Sequence, residues 1–177
     1  MPTLIDSQTE ASSILLYNVY DANHYGASQS FTGVAAILDS CKFYLKKTGL
    51  PTGNIVSKVY AHTGTYGTSS LLTGAALAVS DNVNVATLST SVGLITFSFS
   101  GANRITLVNG TYYVLTVEYT GGDGTKYVSV YGLKPGTATG NSGVYSAGWS
   151  AQNWDCSFYV YKDDATTTKS FTLLGVG

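Results

Sequence analysis

His24 and His62, together with a few scattered carboxylates, are the side chains through which this chain could do acid–base or metal chemistry. A Ser-His-Asp arrangement needs a histidine held by a carboxylate and facing an activated serine. No G-x-S-x-G elbow occurs to supply that serine. Metal binding by histidine pairs asks for H-x-x-x-H or H-x-H spacing, which is absent. Both histidines therefore read as surface or turn residues. Glycoside hydrolysis needs two carboxylates across a cleft, one held protonated by burial. Glu118, in "LTVEYT", falls on the strand face opposite Leu115 and Val117. Asp39, Asp81 and Asp155 fall at strand starts or turns, where aspartate accepts backbone hydrogen bonds. The carboxylates of "GGDG" (121–124) and "KDD" (162–164) offer oxygen ligands for a structural calcium, but neither completes a D-x-D-x-D loop. No G-x-x-x-x-G-K-[ST] phosphate cradle is present. The expectation is a protein that is not an enzyme and carries no cofactor, with structural calcium unsupported by a full motif.

Binding chemistry is better represented. In "CKFYLKKTGLPTGNIVSKVYAH" (41–62), alternation puts Lys42, Tyr44 and Lys46 on one strand face. Lys58, Tyr60 and His62 share a face of the next strand, while Lys47 points the other way. The turn "TGLPTG" either closes a hairpin or carries the chain to an opposite sheet. Lysines among tyrosines attract phosphate-rich polymers by counterion release, yet they also guard sheet surfaces and edges against wrong pairing. With a net charge of −1, the patch reads as the wet side of a sheet, and no nucleic-acid partner is expected. Alternation also turns Tyr44, Tyr60, Tyr112, Tyr127, Tyr131, Tyr159 and Tyr161 away from the core. Trp149 and Trp154 flank "SAQN". Tyrosine offers flat apolar area plus one hydroxyl. Three uses stay open for Tyr112, Tyr127, Tyr131, Trp149, Trp154, Tyr159 and Tyr161: cross-strand filler, a subunit interface, or a platform for glycan.

These residues need a scaffold of strands. Of 177 residues, 44% are apolar and only 11% charged, with 14 tyrosines and a single methionine. That leaves Thr, Ser, Asn and Gly to make the polar surface, a β-rich composition. Period-2 alternation bounded by Gly, Asn, Asp and Pro predicts strands over 29–34, 38–47, 54–62, 75–80, 93–100, 103–108, 111–120, 126–132 and 155–161. A helical turn is the most that 83–90 supports. "TGGDGTK" (120–126) reads as a hairpin turn and "KPGTATGNSG" (134–143) as a longer loop. The inward set is Cys41, Phe43, Leu45; Ile55, Val59, Ala61; Ile95, Phe97, Phe99; Tyr113, Leu115, Val117; Val128, Val130; and Cys156, Phe158, Val160. Cys41 and Cys156 read as buried thiols, with a bridge between neighbouring strands as the alternative. The fold class is an all-β, single jelly-roll-type antiparallel β-sandwich of about 8–10 strands with extended N- and C-terminal arms.

The ends differ from the middle. Residues 1–28 make an N-terminal arm or first strand around "ILLYNVY". Residues 29–164 make the sandwich, and 165–177 a strand-like tail. Phe171, Leu173 and Leu174 of that tail either pack on their own domain or add to a neighbouring subunit's sheet edge. The N-terminus has neither a basic n-region nor a long apolar stretch, so no secretory signal is expected. No apolar run approaches the ~20 residues of a membrane span.

A resemblance adds to this. "QSFTG" (29–33), "FYLKKTGLPTGNIVSKVYAHTGTYGTSS" (43–70), "SDNVNVATLSTS" (80–91), "FSFSGANRITLVNGTYYVLTVEYTGGD" (97–123) and "GNSGVYSAGWSAQNWDCSFYVYKDD" (140–164) follow in order. In that order they resemble the choice-of-anchor R-like jelly-roll family, common among bacteriophage, prophage and metagenomic structural proteins. The resemblance covers roughly 29–164 and implies a jelly roll without a catalytic signature. It also implies placement in a virion, as capsid decoration, head fibre or tail-associated module. The partners it implies are other virion proteins and further copies in a homo-oligomer. Host surface glycan is the alternative partner, and release by lysis would need no signal.

Overall fold

The computed structural model describes residues 1–163, which form two antiparallel sheets packed face to face. Eight principal strands carry the fold: β1 (Thr3–Gln8), β3 (Gly26–Thr32), β4 (Ala36–Thr48), β5 (Asn54–Thr63), β6 (Leu71–Val79), β8 (Gly93–Ser98), β10 (Tyr112–Glu118) and β15 (Phe158–Lys162). The first sheet runs β1-β15-β4-β8 and the second β3-β10-β5-β6. The first principal strand thus pairs the eighth, the second the seventh, the third the sixth and the fourth the fifth. This is the jelly-roll order. Seven further elements complete the sheets: β2 (Ile14–Val19), β7 (Val83–Asn84), β9 (Thr106–Leu107), β11 (Tyr127–Leu133), β12 (Ser142–Tyr145), β13 (Trp149–Ala151) and β14 (Asp155–Cys156).

The first sheet forks along β4. Leu38–Phe43 pair with β15, while Leu45–Thr48 pair with β11. β2 lies outside β11 as β1 lies outside β15. Ser157 sits in the fork, its N–H donating to Tyr131 and its carbonyl accepting from Tyr44 N–H. Residues 1–28 contain β1, β2 and the first residues of β3. β1 and β2 are the outer strands of this sheet, and Val19 is fully buried.

The predicted register holds. Cys41, Phe43, Leu45, Ile55, Val59, Phe97, Phe99, Tyr113, Leu115, Val117, Val128, Val130, Cys156, Phe158 and Val160 are all buried between the sheets. Ala61 and Ile95 are half-buried. Alternation marks faces well on β4, β5 and β15, where one face is buried and the other partly exposed.

Two turns differ from their sequence reading or settle it. "TGGDGTK" closes no hairpin, because β10 and β11 lie in different sheets. Its tightness is local: Asp123 Oδ1 accepts from the N–H groups of Thr125 and Lys126. "TGLPTG" likewise crosses between sheets. Gly49 has φ of +67°, and a Cβ there would meet Thr125 O at 2.6 Å. Residues 103–108 contribute only β9, since Gly101–Asn103 is a 3-10 turn. The expected turn near 83–90 is a single 3-10 turn at Val85–Thr87, capped by Asn84. Among the described residues, no helix is long and apolar enough to cross a membrane.

Candidate functional site

The outer face of the first sheet is aromatic and apolar. β15 turns Tyr159 and Tyr161 outward, β4 turns Lys42, Tyr44 and Lys46 outward, and β11 turns Tyr127 and Tyr131 outward. Cross-strand pairing sets a leucine against each central ring: Leu4 opposite Tyr161, Leu94 opposite Tyr44, and Leu15 opposite Tyr131. These leucines are 46%, 37% and 48% exposed, where burial would have been the cheaper fate. The rings touch one another. Tyr159 stacks with Tyr161 at 6.4 Å, and Tyr44 meets Tyr131 edge-on at 6.2 Å. Lys42 Nζ lies 5.2 Å from the Tyr161 ring and Lys46 Nζ 5.7 Å from the Tyr131 ring. Cation–π contact of this kind holds the ammonium groups over the ring faces. Tyr159 is fixed further by donating to Glu10 Oε2 at 2.5 Å. That bond pushes the Tyr159 phenol up to about 12 and holds the Glu10 carboxyl below its usual range.

The second sheet curls. Its non-core face carries Ser28, Ser30, Val114 and Thr116, all buried although they face away from the sandwich interior. The cover comes from the two ends of the sheet bending toward each other. Ser70 N–H donates to Asn141 Oδ1 at 3.0 Å, and Tyr66 OH lies 3.3 Å from Thr139 Oγ1. The curl is closed at that end and open at the other. The open end is a cleft of ≈ 180 Å³ lined by Tyr25, Asn54, Val56, Lys58, Glu118, Tyr119 and Thr120. At its floor Lys58 Nζ pairs with Glu118 Oε2 at 2.6 Å, while Oε1 accepts from Tyr60 OH at 3.0 Å and from Thr116 Oγ1 at 2.8 Å. Burial, followed by the charge of Glu118, raises the Tyr60 phenol well above its ordinary value, so it stays protonated as a donor. Trp149 and Tyr145 stand beside the cleft, with their ring centroids 5.9 and 4.1 Å from that of Tyr25.

The predicted site residues thus fall into separate places. Tyr127, Tyr131, Tyr159 and Tyr161 share the outer face of the first sheet. Tyr112 is on the second sheet, stacked on Tyr66 at 4.0 Å beside His62. Trp149 belongs to the group with Tyr25 and Tyr145, whereas Trp154 lies under Lys134 Nζ at 5.0 Å, next to Pro135 and Gly136. Each tryptophan therefore has its own aromatic or cationic partners. Phe171, Leu173 and Leu174 lie outside the described residues. The lysines of 41–62 are divided, Lys42 and Lys46 on one sheet and Lys58 on the other, because "TGLPTG" crosses over.

No family model, curated protein or solved structure matches this chain. Its chemistry is read from its own residues. His24 stacks on Tyr20 at 4.8 Å and sits 3.2 Å from Asp21, within one turn. His62 is 3.0 Å from Ser70 Oγ, and burial lowers its pKa. Cys41 and Cys156 are both free and buried. Burial pushes the Cys41 thiol up to about 12 and raises that of Cys156 strongly, so both are protonated. Among the described residues, no three His, Cys, Asp or Glu side chains are grouped to hold a metal ion.

Sequence reasoning missed two polar clusters. One is the Glu118–Lys58 pair, whose signal was a charged residue on each of two strands with apolar neighbours. The other is Gln29, fully buried at an inward position. Its Nε2 donates to Asp155 Oδ1 at 3.0 Å, and its Oε1 accepts from Cys156 N–H at 2.9 Å. Asp155 also accepts from Ala138 N–H at 2.6 Å. Gln29 ties the second sheet to the chain entering β15.

Proposed function

We propose that this protein is a non-enzymatic structural component of a phage-like particle, acting by protein–protein assembly through the outer face of its first sheet. The observation that carries the assembly reading is the pairing of Leu4, Leu15 and Leu94 with Tyr161, Tyr131 and Tyr44 across one exposed face. Exposed apolar and aromatic side chains gathered on one sheet face are a feature of interaction surfaces, and tyrosine is enriched at interface cores. Lys42 and Lys46 hold their ammonium groups over the Tyr161 and Tyr131 rings, so a partner covering this face meets two positive charges among the tyrosines. Full burial of a leucine is worth roughly 1.5–3 kcal/mol, and Leu4, Leu15 and Leu94, at 46%, 48% and 37% exposed, have about half of that left to gain on being covered, set against the cost of association. The nearest partner of matching chemistry is a second copy of the same face. Other particle proteins follow from the resemblance over 29–164, which is also what supports the virion setting.

The reading is tested on particles. An antiserum against this chain, used on density-purified particles from cells carrying the gene, is expected to decorate them at regular positions. Chain absent from purified particles would contradict the reading. So would undiminished incorporation of a Tyr131→Glu, Tyr161→Glu double variant.

A further inference from the structure

The open end of the curled second sheet is built differently from the assembly face. It is concave, it has a charged floor, and one wall is aromatic. An ion pair taken out of water gains little stability, because desolvation offsets the Coulomb attraction. Lys58–Glu118 is such a pair, with the Glu118 side chain 10% exposed and Lys58 27% exposed. Glu118 is an acceptor held in place by three donors, which fixes its orientation without a ligand. Lys58 has ammonium protons beyond the one it gives to Glu118. Asn54 and Thr120 add an amide and a hydroxyl to the lining. The site therefore offers donors and acceptors with no net charge.

The aromatic wall is also fixed by the backbone. A Cβ at Gly26 would come within 2.7 Å of the Trp149 ring and 3.6 Å of Glu118 Cγ. Glycine at this position leaves the room over the β3 backbone that the indole occupies. Tyr25 contacts both Trp149 and Tyr145, so its ring is held from the side. At ≈ 180 Å³ the cleft is below the ~300–1,000 Å³ typical of pockets for drug-sized ligands. A single small ring fits and a long apolar ligand does not.

We propose that the cleft between Tyr25, Lys58 and Glu118 is a binding site for one neutral sugar ring, the apolar face of the sugar against the aromatic wall and its hydroxyls on Lys58, Glu118, Asn54 and Thr120. A polyhydroxyl ring is the ligand class that uses an aromatic plane together with paired donors and acceptors and brings no charge of its own. The site is separate from the face used in assembly, so the two readings stand or fall independently. In an oligomer, several such clefts on one particle make weak single contacts effective.

The experiment is saturation-transfer NMR on the full chain with glucose, galactose, mannose and N-acetylglucosamine at millimolar concentration. Transfer to at least one of the four is expected, lost in Tyr25→Ala and reduced at least tenfold in Glu118→Gln. The solution mass of both variants is expected to match the parent. Trp149→Phe serves as a second aromatic variant should Tyr25→Ala fail to fold, and it is expected to weaken transfer several-fold. No transfer from any of the four sugars to the parent chain would overturn the proposal. Transfer that survives Tyr25→Ala, or Trp149→Phe in its place, together with Glu118→Gln would overturn it too.

Discussion

At the scale of single residues, the molecule hides its reactive groups. Cys41 Sγ donates to Ser57 Oγ at 3.2 Å between the two sheets, and Cys156 lies against Ser28 O at 3.5 Å. Neither thiol is expected to react with a maleimide at neutral pH in the native protein, and both are expected to react after unfolding. Mass spectrometry counts the adducts, and a native adduct on either would contradict the burial. The same shift fixes a pH dependence. A thiol raised in the folded state stabilises fully below its unfolded value, and that contribution is lost as pH rises toward the folded value. For Cys41 the window opens at 9.0 and extends to about 12, so denaturant midpoints are expected to fall across that range. Asp155→Ala strands the Gln29 side-chain amide and the Ala138 backbone N–H. Leaving buried partners unpaired costs about 1–3 kcal/mol each, and a loss of about 3 kcal/mol corresponds to roughly 6–12 °C in Tm for a domain of this size. Calorimetry checks this, and an unchanged Tm would contradict it. The thiols were legible from alternation. Gln29 was not, because one polar residue at an inward position in "SQSF" looks like noise until Asp155 is brought beside it.

At the scale of elements, alternation reported well on β4, β5 and β15, where one face is buried and the other partly exposed, and on β10 and β11, where outward Thr116 and Ser129 are buried but polar. It failed on β2, where "ILLYNV" is a continuous apolar run without a period. It failed also on β12 and β13, which are too short and rich in Gly and Ser to show one. Pairing partners were the harder matter. Tight turns after β4 and β10 look like hairpins in sequence but join opposite sheets, because rolling a long hairpin into a sandwich sends most connections across. The consequence for residues 1–28 is direct. β1 and β2 cover the edges of β15 and β11, and an uncovered strand edge invites association. A chain lacking residues 1–20 is therefore expected to lose the cooperative transition of the parent and to aggregate. A soluble, cooperatively folding product would contradict the role given to β1 and β2.

At the scale of the whole molecule, the sandwich keeps two faces with different characters. One is rich in outward tyrosines and leucines and is the face proposed for assembly. The other curls over its own polar residues, with the Tyr25–Lys58–Glu118 cleft at one end. Neither face could be drawn from the sequence alone, since outward tyrosines on β4, β10, β11 and β15 look equivalent until the topology assigns three strands to one sheet and β10 to the other. The central claim is that the first face joins copies of this chain. It is tested most directly by the solution mass of the full chain, measured by light scattering after size exclusion, beside that of a Tyr131→Glu, Tyr161→Glu variant. A charge in a covered interface removes hot-spot contacts worth about 2 kcal/mol or more each. The parent is expected to run as a defined oligomer and the variant as a folded monomer; a monomeric parent, or an oligomer indifferent to both substitutions, would contradict the account.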